Sequence, residues 1–341
     1  MAQTLADIGE FGLIRFIRDL IDREGVKAPG LMMGIGDDSA SFLPREGYEI
    51  LVTCDCMVEG RHYLRGHVNP LDLGSRAMAM NMSDIGAMGG MPVFATVSLG
   101  MKKDTLVQDI LEMYRGFIRE LNPLGAAVIG GNITKSDHSD FIDITLIGEV
   151  EKGKIIRRST ARPGDIILVT GYPGQAAAGL NILLNNKGAG DIRSNPLVRA
   201  YNRPVHRVRE GRAVALSGCA TSMIDISDGL LGDLGHICQE SGVGAEIIRA
   251  ALPVSAHMRG FSGAKGSDPH EIILGESDDY ELIITCAPGN RDKVCSAIAE
   301  ISDVPVTEIG RITGKMDGIG IVFPDGSRHE AAAIGWDHFK K

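Results

Sequence analysis

Carboxylates recur beside glycine or at the ends of apolar runs along this chain, and that recurrence limits the folds open to it. The first instance is Gly34-Ile35-Gly36-Asp37-Asp38-Ser39-Ala40, where two adjacent acids enter a run of small residues. Others are Asp55, just after the apolar Ile50-Leu51-Val52-Thr53, and Asp84, inside a Met-rich segment. Asp225 and Asp228 lie in Ile224-Asp225-Ile226-Ser227-Asp228-Gly229, and Asp278-Asp279 precede Tyr280-Glu281-Leu282. Adjacent acids repel one another unless a cation lies between them, and glycine lets the backbone come close to a ligand. Oxygen-only ligand sets of this kind suit hard cations such as Mg²⁺, held by carboxylates and by the phosphates of a substrate.

Charge sets the next limit. With 35 Lys and Arg against 44 Asp and Glu the net charge is −9, so a nucleic-acid partner, which needs a basic face, is not expected. An acidic chain can hold phosphates where divalent ions bridge carboxylate to phosphate, so the composition favours metal-dependent phosphate chemistry. No apolar run approaches the roughly 20 residues that span a bilayer, and the N-terminus has no basic and apolar leader. A cytoplasmic protein without a membrane partner is expected. The six cysteines include no C-x-x-C pair, which leaves reduced thiols rather than a zinc site or disulfide framework.

At 341 residues the chain exceeds a typical single core, so two domains are expected, 1–153 and 154–341. Apolar residues at helical spacing predict amphipathic helices over 7–23 and 106–118, the second stopping at Asn122-Pro123. Strands are predicted over 48–53, 94–99, 126–129 and 141–147, with Gly130-Gly131-Asn132-Ile133-Thr134 as a loop after the third. In the segment 77–91 Asp84 is the one charge, and Met80, Asp84 and Met88 share a helical face. A carboxylate so placed needs a metal or backbone donors to offset its burial. Residues 151–165, with Arg157, Arg158 and Arg162, read as the domain connection, although an arginine there can also reach a phosphate. Beyond it, strands over 166–170 and 281–285, a strand-turn-helix over 223–238, and helices over 175–183 and 291–301 define an α/β second domain. The whole chain lacks both G-x-x-x-x-G-K-[ST] and a G-x-G-x-x-G after a strand, so neither a P-loop nor a Rossmann nucleotide site is present.

Taken together, these motifs resemble thiamine-monophosphate kinase, in the superfamily named after aminoimidazole ribonucleotide (AIR) synthase. The likeness runs from Gly9-Glu10-Phe11-Gly12-Leu13-Ile14 to Gly335-Trp336-Asp337-His338-Phe339. Between them lie the Gly-Asp-Asp turn, Thr53-Cys54-Asp55, Val58-Glu59-Gly60 with His62, Asn81-Met82-Ser83-Asp84-Ile85, Gly89-Gly90-Met91-Pro92, Arg158-Ser159, Arg162-Pro163-Gly164-Asp165 and Asp225-Ile226-Ser227-Asp228-Gly229-Leu230. The resemblance implies an α/β (α+β), two-domain PurM-like fold. Its N-terminal domain would form a β-barrel across a homodimer, and its α/β C-terminal domain would close over ATP and thiamine monophosphate.

It further implies several Mg²⁺ ions at the acids matching Asp37, Asp55, Asp84, Asp225 and Asp228, with Asp38, Cys54 and Asn132 added to the metal set. ATP falls to Gly131, Asn132, Arg158 and Ser227, and thiamine monophosphate to His62, Asp278 and Trp336. No general base is expected. Three positions depart from the family's pattern: Asn132 replaces an Asp, Cys54 a hydroxyl residue, and Asp278 a substrate-side Glu. The selenophosphate synthetases need a reactive Cys or selenocysteine in an N-terminal glycine loop, whereas no Cys here precedes Cys54.

Overall fold

The computed structural model describes residues 3–186, 192–314 and 318–331. It divides into two compact units, Met1–Ile85 with Gly90–Gly153, and Gly86–Gly89 with Lys154–Lys341. In the first, the order is α1 (Leu5–Glu24), β1 (Leu31–Met33), β2 (Ser41–Phe42), β3 (Tyr48–Val58), α2 (Pro70–Ala87), β4 (Met91–Met101), α3 (Val107–Leu121), β5 (Ala127–Lys135) and β6 (Phe141–Glu151).

Strands β3–β6–β4–β5 form an open four-stranded sheet in that order. Only β4 and β5 run parallel, because α3 carries the chain back between them. One sheet face is apolar: Leu51, Met57, Ile142, Ile144, Leu146, Val97 and Leu99 are all buried. Helix α2 packs there, since a Cβ at Gly148 would lie 2.6 Å from the Ile85 side chain. Helices α2 and α3 cross closely through two glycines. A Cβ on Gly74 would stand 2.0 Å from the Met113 carbonyl oxygen, and one on Gly116 2.3 Å from that of Leu71.

The opposite face of the sheet is uncovered along β3, where Ile50 and Val52 are 41% and 65% exposed. Cys54 and Cys56 continue the same alternation and are exposed. The strand is longer than its apolar run predicts, because the polar Thr53-Cys54-Asp55 keep unbroken pairing with β6.

The Gly130-to-Thr134 segment corrects the sequence reading in another way. It is the body of β5 rather than a loop, paired residue by residue with β4. Gly131 is required there by a close approach, since a Cβ would meet the Val97 carbonyl oxygen at 2.0 Å.

The second unit holds β7 (Ile166–Thr170), α4 (Gln175–Asn185), α5 (Pro196–Asn202), α6 (Val208–Ser217), β8 (Ala220–Asp225), α7 (Leu230–Ser241), β9 (Gly244–Ile248), α8 (Ala256–Lys265), α9 (Pro269–Leu274), β10 (Leu282–Cys286), α10 (Arg291–Ala299), β11 (Val306–Thr313), β12 (Ile319–Val322) and β13 (Arg328–Ala331). Its seven strands lie in the order β13–β12–β9–β11–β7–β10–β8. β7 and β10 are buried at every position, as expected for strands flanked on both faces. No helix among the described residues is long and apolar enough to cross a membrane.

Candidate functional site

In the first unit the expected metal residues separate by sheet face. Asp55 belongs to the helix-covered face, where its N–H donates to Asn81 Oδ1 of α2 at 3.1 Å. One turn further along α2, Asp84 Oδ2 accepts the Thr53 hydroxyl at 2.5 Å. Thr53 and Asp55 alternate to the same side of β3, so Thr53, Asp55, Asn81 and Asp84 form one cluster of oxygen donors. The spacing of Asn81 and Asp84 on α2 presents both toward the strand. Thr53 has no place in the sequence-derived set, and its position two residues before Asp55, on the same side of an extended chain, is the signal that was available.

Cys54 turns to the uncovered face. Its thiol donates to Asp143 Oδ1 at 3.4 Å and accepts the Thr145 hydroxyl at 3.6 Å. Burial and the neighbouring carboxylates push that thiol upward from its ordinary range, although the Thr145 hydroxyl, its largest single influence, acts the other way. The Cys54 and Asp55 side chains therefore do not converge. Asn132 shares the uncovered face through the cross-strand row Cys56, Asp143, Ser98 and Asn132. Asp37 and Asp38 lie in the exposed turn after β1, where Asp38 N–H donates to Asp37 Oδ1 at 2.9 Å. Gly36 has φ +137°.

His62 follows the end of β3. Its Nδ1 accepts the Val58 N–H at 3.0 Å, and its own N–H donates to the Val58 carbonyl at 2.9 Å. An imidazole whose Nδ1 accepts carries its proton on Nε2.

The second unit brings two of the predicted motifs together. β8 ends at Asp225 opposite Leu282 of β10. Past that pair, Ile226 N–H donates to Glu281 O at 2.7 Å and Tyr280 N–H donates to Ile226 O at 2.8 Å. The loop 226–229 thus runs beside 278–281. Gly229, φ +114°, seals the contact, because a Cβ would meet the Gly275 carbonyl at 2.4 Å. Tyr280 is the one non-glycine with positive φ among the described residues, at +55°, a conformation that costs about 1 kcal/mol or more and persists where its surroundings enforce it.

Three acids hold these loops in shape. Asp233, in the first turn of α7, accepts N–H groups from Ser227, Asp228 and Gly229 at 3.0, 3.0 and 3.1 Å, all at Oδ2. Burial and the adjacent Asp228 raise its carboxyl to about 7 against those donors. Asp279 accepts from Gly174 and Ala176 at the start of α4, and burial raises it to about 6. Glu281 takes two bonds of 2.6 Å from Arg207 and a third of 2.6 Å from the Thr170 hydroxyl. Between these anchors Asp278 is half-buried and Ser227 is exposed.

Asp228, Asp233 and His236 present ligand atoms within 4.8 Å of one another. The carbonyl of Arg158 accepts the Ser222 and Ser241 hydroxyls at 3.3 and 3.0 Å, fixing the backbone from which its exposed guanidinium extends. Trp336 lies outside the described residues. Arg207, Asp233 and Thr170 have no place in the sequence-derived set: Arg207 and Thr170 meet Glu281 only through the fold, whereas Asp233 is local to its loop, four to six residues from its partners.

A polar cluster under a helix in one unit, and an acid loop clamped to a second loop in the other, sit on the two domains that define the AIR synthase related proteins. Residues 36–150 match the N-terminal domain of that family and residues 162–322 its C-terminal domain. The thiamine-monophosphate kinase of Escherichia coli strain K12 is 35% identical over 336 residues, covering 97% of this chain and 98% of the relative. The crystal structure of thiamine-monophosphate kinase from Stenotrophomonas maltophilia K279a superposes with a TM-score of 0.81 at 33% identity, over 95% of this chain and 98% of that one. A structure of AaThiL complexed with AMPPCP and TMP is 32% identical with a TM-score of 0.76, over 99% and 100%. The chain belongs to the thiamine-monophosphate kinase family.

Proposed function

We propose that this protein transfers the γ-phosphoryl group of ATP to thiamine monophosphate, giving thiamine diphosphate. The observation that carries this reading is the nearly complete overlap with AaThiL, whose structure holds AMPPCP and TMP. The acceptor is a phosphate monoester, mostly ionised near neutral pH because its second pKa is about 6. No base is required to make it nucleophilic, and the barrier lies in aligning two polyanions.

The residues fit Mg²⁺: Thr53 and Asp84 are in hydrogen-bond contact through oxygen atoms, with Asp55 on the same side of β3, and oxygen donors are what a hard cation takes. Asp37 and Asp38 in the first unit, and Asp225 and Asp228 in the second, are proposed as further metal ligands; Cys54 and Asn132 face the other side of the sheet, so a metal role for them lies apart from the Asp55–Asp84 cluster. When bound, the ions neutralise charge on the transferring phosphoryl group. His62 offers an Nε2–H donor to the acceptor, Asp278 meets the thiamine moiety, and Trp336 is assigned to the same substrate. Gly131, Asn132, Ser227 and the Arg158 guanidinium hold ATP, Arg158 by charge-assisted hydrogen bonds. The uncovered face of β3 supports a homodimer in which two first units close a barrel, and a cytoplasmic location suits both substrates. Incubation with ATP, Mg²⁺ and thiamine monophosphate should yield thiamine diphosphate by chromatography. ATP consumption without that product would overturn the reading.

A further inference from the structure

Three strand ends meet beside His62. The turn 58–63 leaves β3 with Gly60 at φ +82°, Gly60 N–H donating to Tyr63 O at 2.8 Å and Glu59 N–H donating to Asp140 O at 2.9 Å. Lys102, just past β4, then closes a two-point latch. Its ammonium donates to Glu59 Oε2 at 2.5 Å, and its N–H donates to Asp140 Oδ1 at 2.9 Å. Asp140, just before β6, returns its own N–H to Glu59 Oε2 at 3.2 Å. Asp140 is buried, as is the Tyr63 ring. Lys102 holds the Glu59 carboxyl below its ordinary range, with the Asp140 N–H acting the same way against partial burial.

Val58 is still paired with Phe141 of β6; past it, the backbone and side-chain bonds described here are what tie the turn to the sheet. The Val58 N–H can reach His62 Nδ1 only while the turn keeps its shape, and that bond is what selects the Nε2–H form of the ring. We propose that Glu59 and Lys102 are positioning residues for thiamine monophosphate: their ion pair holds the turn that fixes both the place and the tautomer of His62. The proposal rests on the kinase reading for the identity of the substrate, but the tautomer does not depend on it.

The test uses the full-length chain with Lys102→Met, Lys102→Arg and Glu59→Gln. Lys102→Met should raise KM for thiamine monophosphate about tenfold while KM for ATP changes less than twofold, a split that a general loss of stability would not produce. Lys102→Arg, which keeps the charge, should recover most of the loss. In parallel, long-range ¹H–¹⁵N spectra of ¹⁵N-histidine protein, with His62 assigned by its absence in His62→Asn, should show Nδ1 as the unprotonated nitrogen in the unaltered chain. A mixture of tautomers should appear in Lys102→Met. Should that variant fail to fold, Glu59→Gln removes the charge but keeps an oxygen for the Asp140 N–H and carries the same readouts. A single unchanged tautomer, together with an unchanged KM in folded variants, would overturn the proposal. If the unaltered chain makes no thiamine diphosphate, the kinase reading fails by itself and the spectra alone decide the latch.

Discussion

Breaking the Arg207–Glu281 pair should be among the most damaging single changes in the second unit. The two side chains are 15% and 8% exposed, so water cannot replace a lost partner. Arg207→Met leaves Glu281 with the Thr170 hydroxyl as its remaining donor of the three and an uncompensated buried charge, a change that ordinarily costs about 3–5 kcal/mol. For a domain of roughly 150–250 residues each kcal/mol moves the melting temperature by about 2–4 °C, so a fall on the order of 10 °C is expected. The Glu281 carboxylate lies against Gly171, where a Cβ would be 1.9 Å from its Oε1, so it is confined on that side. Adding Glu281→Gln to Arg207→Met removes the stranded charge and should recover about half of the loss, a non-additivity that marks a direct pair. Thermal melts and urea titrations followed by circular dichroism measure both effects. A loss below about 1 kcal/mol for Arg207→Met, or strict additivity in the double variant, would show that the pair behaves as a solvated surface bridge.

Asp84→Asn should lose most turnover while remaining folded, and Thr53→Val should raise the Mg²⁺ concentration for half-maximal rate; normal metal dependence in both would remove the Thr53–Asp84 contact from the metal site. Asp233 has its carboxyl raised from 3.8 to about 7, so the folded state binds the proton more tightly, and the stability this contributes is present below about pH 4 and lost as pH rises through about 7. Asp233→Asn keeps one oxygen for the three loop N–H groups and should flatten that fall in chelator-treated protein. Parallel urea midpoints for both chains between about pH 4 and pH 8 would refute the assignment. Val52→Glu, placed on the uncovered face of β3, should convert a dimeric mass by light scattering into a monomeric one, and an unchanged mass would locate the interface elsewhere.

Elements with a strong period or sharp punctuation are legible in the sequence itself. β7 spans the predicted 166–170, and α3 ends at Leu121, against the Asn122-Pro123 stop. Gly130 and Gly131 read as part of a loop because glycine usually marks one, yet at 131 the glycine answers the Val97 carbonyl of a neighbouring strand. That neighbour is more than 30 residues away along the chain, so no local pattern could reveal it. β9, β12 and β13 are four or five residues each, too short for a period to register. Among the functional candidates, side-chain direction was the hidden quantity. Cys54 and Asp55 are adjacent in sequence and face opposite sides of one strand, whereas Asp55 and Asn81 are distant in sequence and hydrogen-bonded. Glu281 was visible as part of a motif, but its partner Arg207 lies 74 residues away.

The placement of β10 between β7 and β8 also bears on how the acid loops move. Residues 278–281 run straight into a strand whose amides are locked on both sides, and their neighbours 226–229 are tied to the first turn of α7. Functional loops commonly exchange their amide hydrogens through shallow local openings. Here the amides of Ile226 and Tyr280 are bonded to each other's loop at the mouth of the sheet, so exposing either to deuterium requires peeling β8 from β10. Their exchange should track the slow, cooperative opening of the sheet, and the loop pair should be rigid on the timescale of turnover.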